Sequence, residues 1–312
     1  MAKNIEKFIT TPIDDYNQMI YNLKNGQEKG TTTYIEEYDN CWKWKPGTFN
    51  IISGYNNEGK GQWLRFKCLI KALEEDRHFV FYAPEDYPSS QLYDDLIHTI
   101  SGKSTDKDND NCITEDEYNH AFDLIKDKFH FLYIKPPHNT LSEILQSFND
   151  LLEVDDKLYG FIIDPHIKVA RDKDAPDRDD LYGAYFTGLL GDFSRINKVL
   201  TFLVMHQTTP NKLEGTGCYP EPDTYKVKQG GTYSDTADTL EIVWRPKYAK
   251  DKLDPSVVIG TKKVKVQKLI GIPQLYDFSF DRRTNRYTEL GSNKSLYNFD
   301  KWMPDYKKKR NF

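Results

Sequence analysis

A glycine-rich segment with a single lysine carries the clearest chemical signal in this chain. Residues 54–61 read Gly-Tyr-Asn-Asn-Glu-Gly-Lys-Gly, the G-x-x-x-x-G-K pattern of a P-loop, except that Gly61 replaces the usual Ser or Thr. Backbone N–H groups of such a loop and of the helix after it attract phosphate anions, and Lys60 would add a positive charge. We therefore predict nucleotide binding by six residues: Gly54, Asn57, Gly59, Lys60, Gly61 and Gln62.

Two acidic residues follow apolar runs that are typical of strands. Asp164 closes the run Phe161-Ile-Ile-Asp164, the place where P-loop enzymes carry the acid associated with Mg²⁺. Glu85 follows the run 78–83 and could polarise an attacking water molecule. Each has an ordinary alternative, since Asp164 could cap the following turn and Glu85 could be a turn residue near two prolines.

A polar pair follows another apolar run. His206 and Gln207 come directly after residues 199–205, and both side chains can donate hydrogen bonds to a γ-phosphate. Ligands of open α/β sheets bind at the carboxyl ends of the strands, so this pair could sense the nucleotide. Spacing alone favours a structural histidine, and that alternative stays open at this point.

The segments that must position these residues alternate between strand-like and helix-like patterns. Short runs rich in β-branched and aromatic residues are separated by stretches with helical spacing. This order predicts an α/β fold with a mostly parallel sheet, helices on both faces and antiparallel C-terminal strands. The predicted parallel strands are 49–53, 78–83, 129–134, 159–164 and 199–205, the helices are 62–73, 91–100, 140–152 and 181–196, and the antiparallel strands are 240–243, 257–266 and 276–280.

Composition limits the class of protein. The chain has 312 residues, a formal net charge of −5 and a mean hydropathy of −0.73. No apolar run reaches the roughly 18 residues of a membrane span, and the N-terminus lacks the apolar core of a signal peptide, so we expect a cytoplasmic protein. Four cysteines without paired spacing indicate neither a zinc site nor a disulfide framework. The acidic balance excludes a uniformly basic nucleic-acid binder but allows a local basic channel.

Three parts are expected along the chain: a helical leader over 1–30, a core domain over 31–290 and a basic aromatic tail over 291–312. A charged loop at 171–180 and a long loop at 211–232 interrupt the core pattern, and long loops in compact domains are usually functional or mobile. The charged loop and the tail could contact nucleic-acid phosphates or bases, although a solvated surface is the simpler interpretation of each.

Taken in order, several segments resemble the helicase domain of Twinkle-type and related phage replicative helicases, which are RecA-like ATPases of the DnaB-like family. The likeness extends over roughly residues 15 to 290 and begins with the lead-in to the P-loop. Five further segments are similar to parts of that domain: 83–88 to the segment with the catalytic glutamate, 162–165 to the Walker B strand, 204–207 to the strand ending in a phosphate-sensing residue, 229–238 to the segment facing DNA, and 261–287 to the closing strands.

This resemblance implies a RecA-like P-loop ATPase that uses ATP and Mg²⁺. In this interpretation Glu85 is the general base, Asp164 holds the metal, and His206 or Gln207 reports the γ-phosphate. The resemblance also implies a ring-shaped homo-oligomer, a hexamer, with single-stranded DNA in its channel. A phage origin, residence in the host cytoplasm and other replisome proteins as partners follow from the same likeness.

Two departures from the family pattern leave hydrolysis open. Gly61 lacks the hydroxyl that binds magnesium, and residues 268–271 read Lys-Leu-Ile-Gly where the family supplies an arginine finger in trans. Such a finger can contribute about 10³–10⁵ in rate, and Lys268 could supply only part of that charge. One alternative is a degenerate accessory or structural relative that binds nucleotide or DNA with little hydrolysis. Another is a RecA-like recombinase or strand-annealing ATPase, which would form filaments.

Overall fold

The computed structural model describes residues 11–228 and 230–303. Nine strands of these residues form a single sheet: β1 (Phe49–Gly54), β2 (His78–Tyr82), β3 (Phe129–Phe131), β4 (Leu158–Ile163), β5 (Leu200–His206), β6 (Thr239–Trp244), β7 (Ser256–Val264), β8 (Leu275–Asp281) and β9 (Arg286–Glu289). Their order across the sheet is β3-β2-β4-β5-β1-β6-β7-β8-β9. The P-loop strand β1 therefore lies centrally, with β5 and β6 on either side.

Strand direction divides the sheet into two parts. The strands from β3 to β6 in sheet order are parallel, whereas β7, β8 and β9 are antiparallel additions. This confirms the predicted α/β architecture. The expectation for residues 240–243 is wrong, because they belong to β6, which is parallel to β1. After β5 ends at the carboxyl edge of the parallel strands, the chain crosses back through residues 207–238 to the amino edge, where β6 begins.

Helices cover both faces of the sheet. The described residues form α1 (Tyr16–Asn25), α2 (Lys60–Glu75), α3 (Ser90–Ser101), α4 (Glu115–Ile125), α5 (Leu141–Leu152), α6 (Asp179–Asn197), α7 (Gly231–Thr236) and α8 (Gln267–Ile270). One apolar core lies between the sheet and α2, α3 and α4, and a second lies between the sheet and α5, α6 and α7. None of these helices is both long enough and apolar enough to cross a bilayer.

The burial pattern follows from residue spacing. Strands β1, β2 and β4 are buried along their whole length, as expected for parallel strands covered on both faces. Helix α5 buries apolar residues at helical spacing: Leu141, Ile144, Leu145 and Phe148. Helix α4 is absent from the predicted elements, although Thr114 and Glu117 form a capping box at its start. That box was a usable sequence signal for a helix beginning at residue 115.

The two ends of the described chain differ in packing. Helix α1 lies within the predicted leader, and its side chains are exposed or half-buried. Near the other end, Phe299 is buried and contacts Phe66 of α2 edge-to-face. Residues 1–10, Gln229 and 304–312 lie outside the described part, and the last of these ranges includes the whole basic stretch 307–310 of the predicted tail. The division at 1–30, 31–290 and 291–312 stays a prediction.

Candidate functional site

The P-loop connects β1 to α2 at the carboxyl edge of the parallel strands. Gly54 is required by close packing, because a Cβ there would lie 2.1 Å from the carbonyl oxygen of Val243 in β6. Gly59 has a φ of 92°, a left-handed conformation that favours glycine, and it directly precedes the first residue of α2. These two glycines let the loop turn sharply into the helix, whose first N–H groups have no partners within the helix.

Lys60 is buried at the base of this loop. Its Nζ donates a hydrogen bond to the carbonyl oxygen of Tyr55 at 2.8 Å, and its residue exposure is 5%. Burial lowers the pKa of Lys60 to about 8. Within the described ranges no carboxylate lies at ion-pair distance from its ammonium group. A buried cation without an ion-pair partner can gain electrostatic energy from an incoming phosphate.

Glu58, inside the loop, is a functional candidate that the sequence interpretation missed. It is 2% exposed, and its Oε2 accepts a hydrogen bond from the backbone N–H of Arg245 at 3.2 Å. Burial raises its pKa to about 7, against the lowering effects of that hydrogen bond and of Lys60. Its place in the motif was visible, but the motif leaves that position unrestricted. Glu58 ties the loop to the chain beyond β6.

Asp164 follows β4 directly and faces the start of α2. Its backbone N–H donates to the carbonyl oxygen of Tyr82 at 2.9 Å, and burial raises the pKa of its carboxyl to about 6. A Cβ placed on Gly61 would lie only 2.6 Å from Oδ2 of Asp164. The carboxylate thus reaches the place where a serine or threonine side chain would begin. Because Gly61 has no side chain, the Asp164 carboxylate can occupy this space.

Arg65, one turn further along α2, supplies positive charge beside Asp164. Its guanidinium binds Asp95 at 2.8 Å and also binds Asp86. Asp164 interacts with this cation, which lowers the pKa of the carboxyl against the larger effect of burial. Nothing in the local pattern around Arg65 identified it, since an arginine on a helix is usually a surface residue. The partners Asp86 and Asp95 come from the segment after β2 and from α3.

Glu85 lies after β2 on the same edge. Its side chain is half-exposed, and its Oε1 is 3.2 Å from Nζ of Lys168. It lies close enough to influence the pKa of Lys60, Asp164 and His206. The structure therefore brings Glu85, Lys60 and Asp164 into one electrostatic neighbourhood. Lys168, which lies shortly after Asp164 in sequence, carried no signal that could have identified it.

His206 and Gln207 end β5 beside the P-loop but have different surroundings. His206 pairs in register with Gly54, and burial lowers its pKa to about 4, helped by Lys60 and Lys228, so the imidazole is neutral at pH 7. Its Nδ1 is buried and has no hydrogen-bond partner among the described residues. The amide nitrogen of Gln207 donates to Ser53 Oγ and to the carbonyl oxygen of Asp223, both at 3.0 Å.

These contacts tie the end of β5 to the long loop after it. The backbone N–H of Lys228 donates a hydrogen bond to the carbonyl oxygen of His206 at 2.8 Å. The backbone N–H of Thr208 donates one to the carbonyl oxygen of Lys226, also at 2.8 Å. Gln207 also forms an isolated bridge with Val227. A movement of His206 would therefore shift residues 223–228 through these hydrogen bonds.

A cavity of about 230 Å³ opens on the other side of the P-loop. Its lining includes three predicted residues, Asn57, Gly59 and Gln62, together with two arginines, Arg245 and Arg282. Asn57 is exposed and has a left-handed φ of 61°. The predicted binding residues thus fall into two groups, one around Lys60 and one, Asn57, Gly59 and Gln62, that lines the neighbouring cavity.

Lys268, the residue at the position of the missing arginine finger, lies far from this chain's own P-loop. It is exposed in α8, which follows β7. The end of β7 pairs with the first residue of β6, since Val264 lies opposite Thr239. That is the amino edge of the parallel strands, whereas Lys60 lies at the carboxyl edge. Lys268 could contact a nucleotide only in a neighbouring copy.

Many solved structures resemble this chain in fold. One, described as an ATPase domain, superposes with a TM-score of 0.71 over 90% of this chain and 99% of that one, at 14% sequence identity. A DnaB-like replicative helicase, described with its interactions with primase, gives a TM-score of 0.67 over 90% of this chain and 67% of that one, at 13% identity. The fold is RecA-like. No protein-family model and no curated protein matches the sequence.

At these identities the likeness concerns the fold. The predicted resemblance to DnaB-like replicative helicases is confirmed at that level, and so is the RecA-like core with antiparallel C-terminal strands. The roles of the individual site residues stay predictions.

Proposed function

We propose that this chain is an ATP-hydrolysing motor domain of the DnaB-like helicase type, which acts on single-stranded DNA. One observation carries the proposal. The buried Lys60 has no ion-pair partner among the described residues, and the predicted acids Glu85 and Asp164 and the neutral His206 lie around it. Perturbed titratable groups gathered at the carboxyl edge of an α/β sheet are typical of a catalytic site.

Phosphate binding is assigned to the P-loop. The backbone N–H groups of residues 54–61 and the start of α2 would surround the β- and γ-phosphates, and Lys60 would pair with their charge. Phosphate would then take the place of the Tyr55 carbonyl oxygen as the partner of Lys60. The cavity with Asn57 and Gln62 could receive the nucleoside.

Asp164 fits a magnesium site with a single protein carboxylate. Mg²⁺ is commonly held by one or two carboxylates, substrate phosphates and several waters. The buried Asp164 provides such a ligand, and Gly61 contributes none. When bound, Mg²⁺ neutralises negative charge on the phosphates. Among this chain's own groups, Arg65 and Lys60 supply positive charge near Asp164.

Glu85 is assigned the role of general base. Its carboxylate is half-exposed, so it can accept a proton from water at the γ-phosphate. Lys168, its ion-pair partner, would hold the side chain at the edge of the site. The neutral His206 can donate a hydrogen bond to phosphate through one ring nitrogen.

The contacts at the end of β5 suggest how ATP hydrolysis could be coupled to movement of a loop that binds DNA. A change at His206 would shift residues 223–228 through the Gln207 and Lys228 hydrogen bonds. The loop 208–228 includes Lys212, Lys226 and Lys228, which can bind DNA phosphates. We propose a ring of copies, a hexamer, with these loops in the channel and Lys268 approaching the nucleotide of the next copy. Phage origin, cytoplasmic residence and other replisome partners belong to this same proposal.

Two observations favour a second candidate, an accessory protein that binds nucleotide or DNA with little hydrolysis. The Asp164 carboxylate fills the place of the Ser or Thr side chain that normally helps hold magnesium. Lys268 offers a point charge in place of an arginine finger, whose planar fork binds phosphate at two points.

ATP turnover with and without single-stranded DNA tests the proposal. We expect turnover stimulated by DNA, abolished in Lys60→Ala, and lowered about 10²–10⁴-fold in Glu85→Gln, because loss of a general base costs that much. Glu85→Gln should still bind ATP in calorimetry. Glu153→Gln, the same change at an exposed position, is the control and should turn over normally. ATP binding without turnover in the unmodified chain would support the accessory protein, and no ATP binding would refute the motor and leave only an accessory protein that binds DNA.

A further inference from the structure

Three metal-ligating side chains converge at the opposite edge of the sheet from the nucleotide site. His78 begins β2, His130 lies in β3, and Asp155 lies in the turn between α5 and β4. His78 pairs with Leu158 at the start of β4, which defines the amino edge of these strands. The proposed ATPase mechanism uses none of the three side chains.

Their ligand atoms are close enough to share one cation. Nδ1 of His78 is 2.7 Å and Nε2 of His130 is 3.1 Å from Oδ2 of Asp155, and all three atoms lie within 4.8 Å of one another. Zinc bonds to nitrogen and oxygen are about 2.0–2.2 Å, which places ligand atoms of a tetrahedral site roughly 3.3 Å apart. The two imidazole–carboxylate distances differ from this spacing by about 0.6 Å or less, so side-chain adjustment would admit the ion.

The surroundings orient the ligands and leave access to solvent. Oδ1 of Asp155 accepts a hydrogen bond from the N–H of Lys157 at 3.0 Å, which leaves Oδ2 directed at the two imidazoles. The ammonium groups of Lys157 and Lys128 both bind the single carboxylate of Asp76, which balances one of their two positive charges. The His130 side chain is 34% exposed, compared with 10% for His78. A cation can enter past His130.

We propose that His78, His130 and Asp155 bind one divalent transition-metal ion, with Zn²⁺ fitting best and water completing the coordination. Imidazole ligands suit zinc, cobalt, nickel and copper, whereas magnesium and calcium prefer oxygen ligands. In the bound form, the two nitrogens that face Asp155 carry lone pairs, and each neutral ring keeps its proton on the other nitrogen. The ion would fasten β3, a three-residue edge strand, to β2 and to the turn before β4.

Calorimetric titration of the tag-free, metal-depleted full chain with Zn²⁺ tests this site. We expect one ion per chain, and affinity at least about tenfold weaker in both His130→Asn and Asp155→Asn, because loss of even an outer-shell partner costs 10–100-fold. His138→Asn is the matched control, since His138 is an exposed histidine that also lies beside a carboxylate, Glu143. That variant should bind like the unmodified chain.

Cobalt gives a second readout that needs no variant. Co²⁺ bound by the unmodified chain should show the visible absorption of a four-coordinate nitrogen and oxygen site, and one equivalent of Zn²⁺ should remove it. Circular dichroism identifies any variant that fails to fold. If one variant does not fold, the cobalt spectrum of the unmodified chain and the other variant test the metal site. Absence of stoichiometric binding by the unmodified chain would overturn the proposal. So would equal zinc affinity in folded His130→Asn, folded Asp155→Asn and the control.

Discussion

Two buried lysines on helix α2 have opposite surroundings. Lys60, at the start of the helix, donates to a carbonyl oxygen and has no carboxylate at ion-pair distance in the described ranges. Lys67, seven residues later, lies 2.6 Å from Glu241 in β6. Their exposures, 5% and 0%, are nearly equal. Burial of a charge therefore does not distinguish a binding site from a structural one, whereas the presence of a balancing partner does.

The surroundings of Lys67 are complete. Its ammonium group lies 4.1 Å from the centre of the Trp42 ring, and the indole N–H of Trp63 donates to Glu241. The opposite charges and the aromatic faces compensate the desolvation of both ions. This part of α2 holds the sheet and helix together and has no capacity left for a ligand.

At the P-loop end, burial is not compensated. It lowers the pKa of Lys60 to about 8 and raises the pKa values of Glu58 and Asp164 to about 7 and about 6. Nearby cations and hydrogen bonds lower the pKa values of Glu58 and Asp164 less than burial raises them, so the charged forms are only partly stabilised. A nucleotide and a cation could complete this stabilisation, which is the physical basis of the proposed site.

Lys67→Ala should produce the largest loss of stability. The substitution leaves the Glu241 carboxylate buried without its cation, and breaking a buried pair costs about 3–5 kcal/mol. Urea denaturation of the full chain measures the change. Lys67→Met combined with Glu241→Gln should recover most of the loss, because Gln still accepts the Trp63 hydrogen bond. If Lys67→Ala lowered the free energy of unfolding by only about 1 kcal/mol or less, as in exposed pairs, the Lys67–Glu241 pair would not have the structural role that separates it from Lys60.

Glu58→Gln should stabilise the protein in a pH-dependent way. Burial raises the pKa of Glu58 from 4.5 to about 7, so the folded state holds an extra proton between these values. Unmodified protein thus loses stability as pH rises through this window, by up to about 3 kcal/mol at 1.36 kcal/mol per pKa unit. The Gln variant has no such loss, so its advantage should be larger at pH 8 than at pH 5. Urea denaturation at both pH values checks this, and an equal effect at both would contradict it.

Gly61→Ala should have a moderate cost. The new Cβ would lie 2.6 Å from Oδ2 of Asp164, and overpacking of this kind costs about 1–3 kcal/mol, partly offset by the better helix propensity of Ala. In an Asp164→Ala background the space is free, so the same change should be neutral or favourable. A double-mutant cycle in urea measures this coupling. If the two changes in unfolding free energy were additive, contact with Asp164 would not explain why residue 61 is glycine.

Lys60→Met should change stability least. Removing a desolvated cation favours folding, whereas the Tyr55 carbonyl oxygen loses its partner, and we expect these effects to cancel to within about 1 kcal/mol. ATP affinity should fall sharply in the same variant. Thermal unfolding and ATP calorimetry on one preparation compare the two outcomes. A stability loss as large as that of Lys67→Ala would place Lys60 in the structural class and weaken the assignment of the site.

Local patterns were enough for most of the sheet. Apolar runs marked β1, β2, β4 and β5 to within about two residues at each end, the usual uncertainty of element boundaries. The direction of β6 was not predictable in this way, because a strand's orientation depends on the path of the chain before it. The P-loop was recognisable because all of its residues are adjacent in sequence. Glu85 and Asp164 could be suggested only by their positions after strands.

Sequence alone determined the alternation of strands and helices and the phosphate-binding loop, since both depend on residues a few positions apart. Tertiary structure alone decided which charges are paired. Lys67 and Glu241 are 174 positions apart, and His78, His130 and Asp155 come from three separate segments. No periodicity links such residues, because their contacts arise only when the sheet order brings distant strands together. For the same reason, Gly61 looked like a defect in the motif until folding placed Asp164 against it.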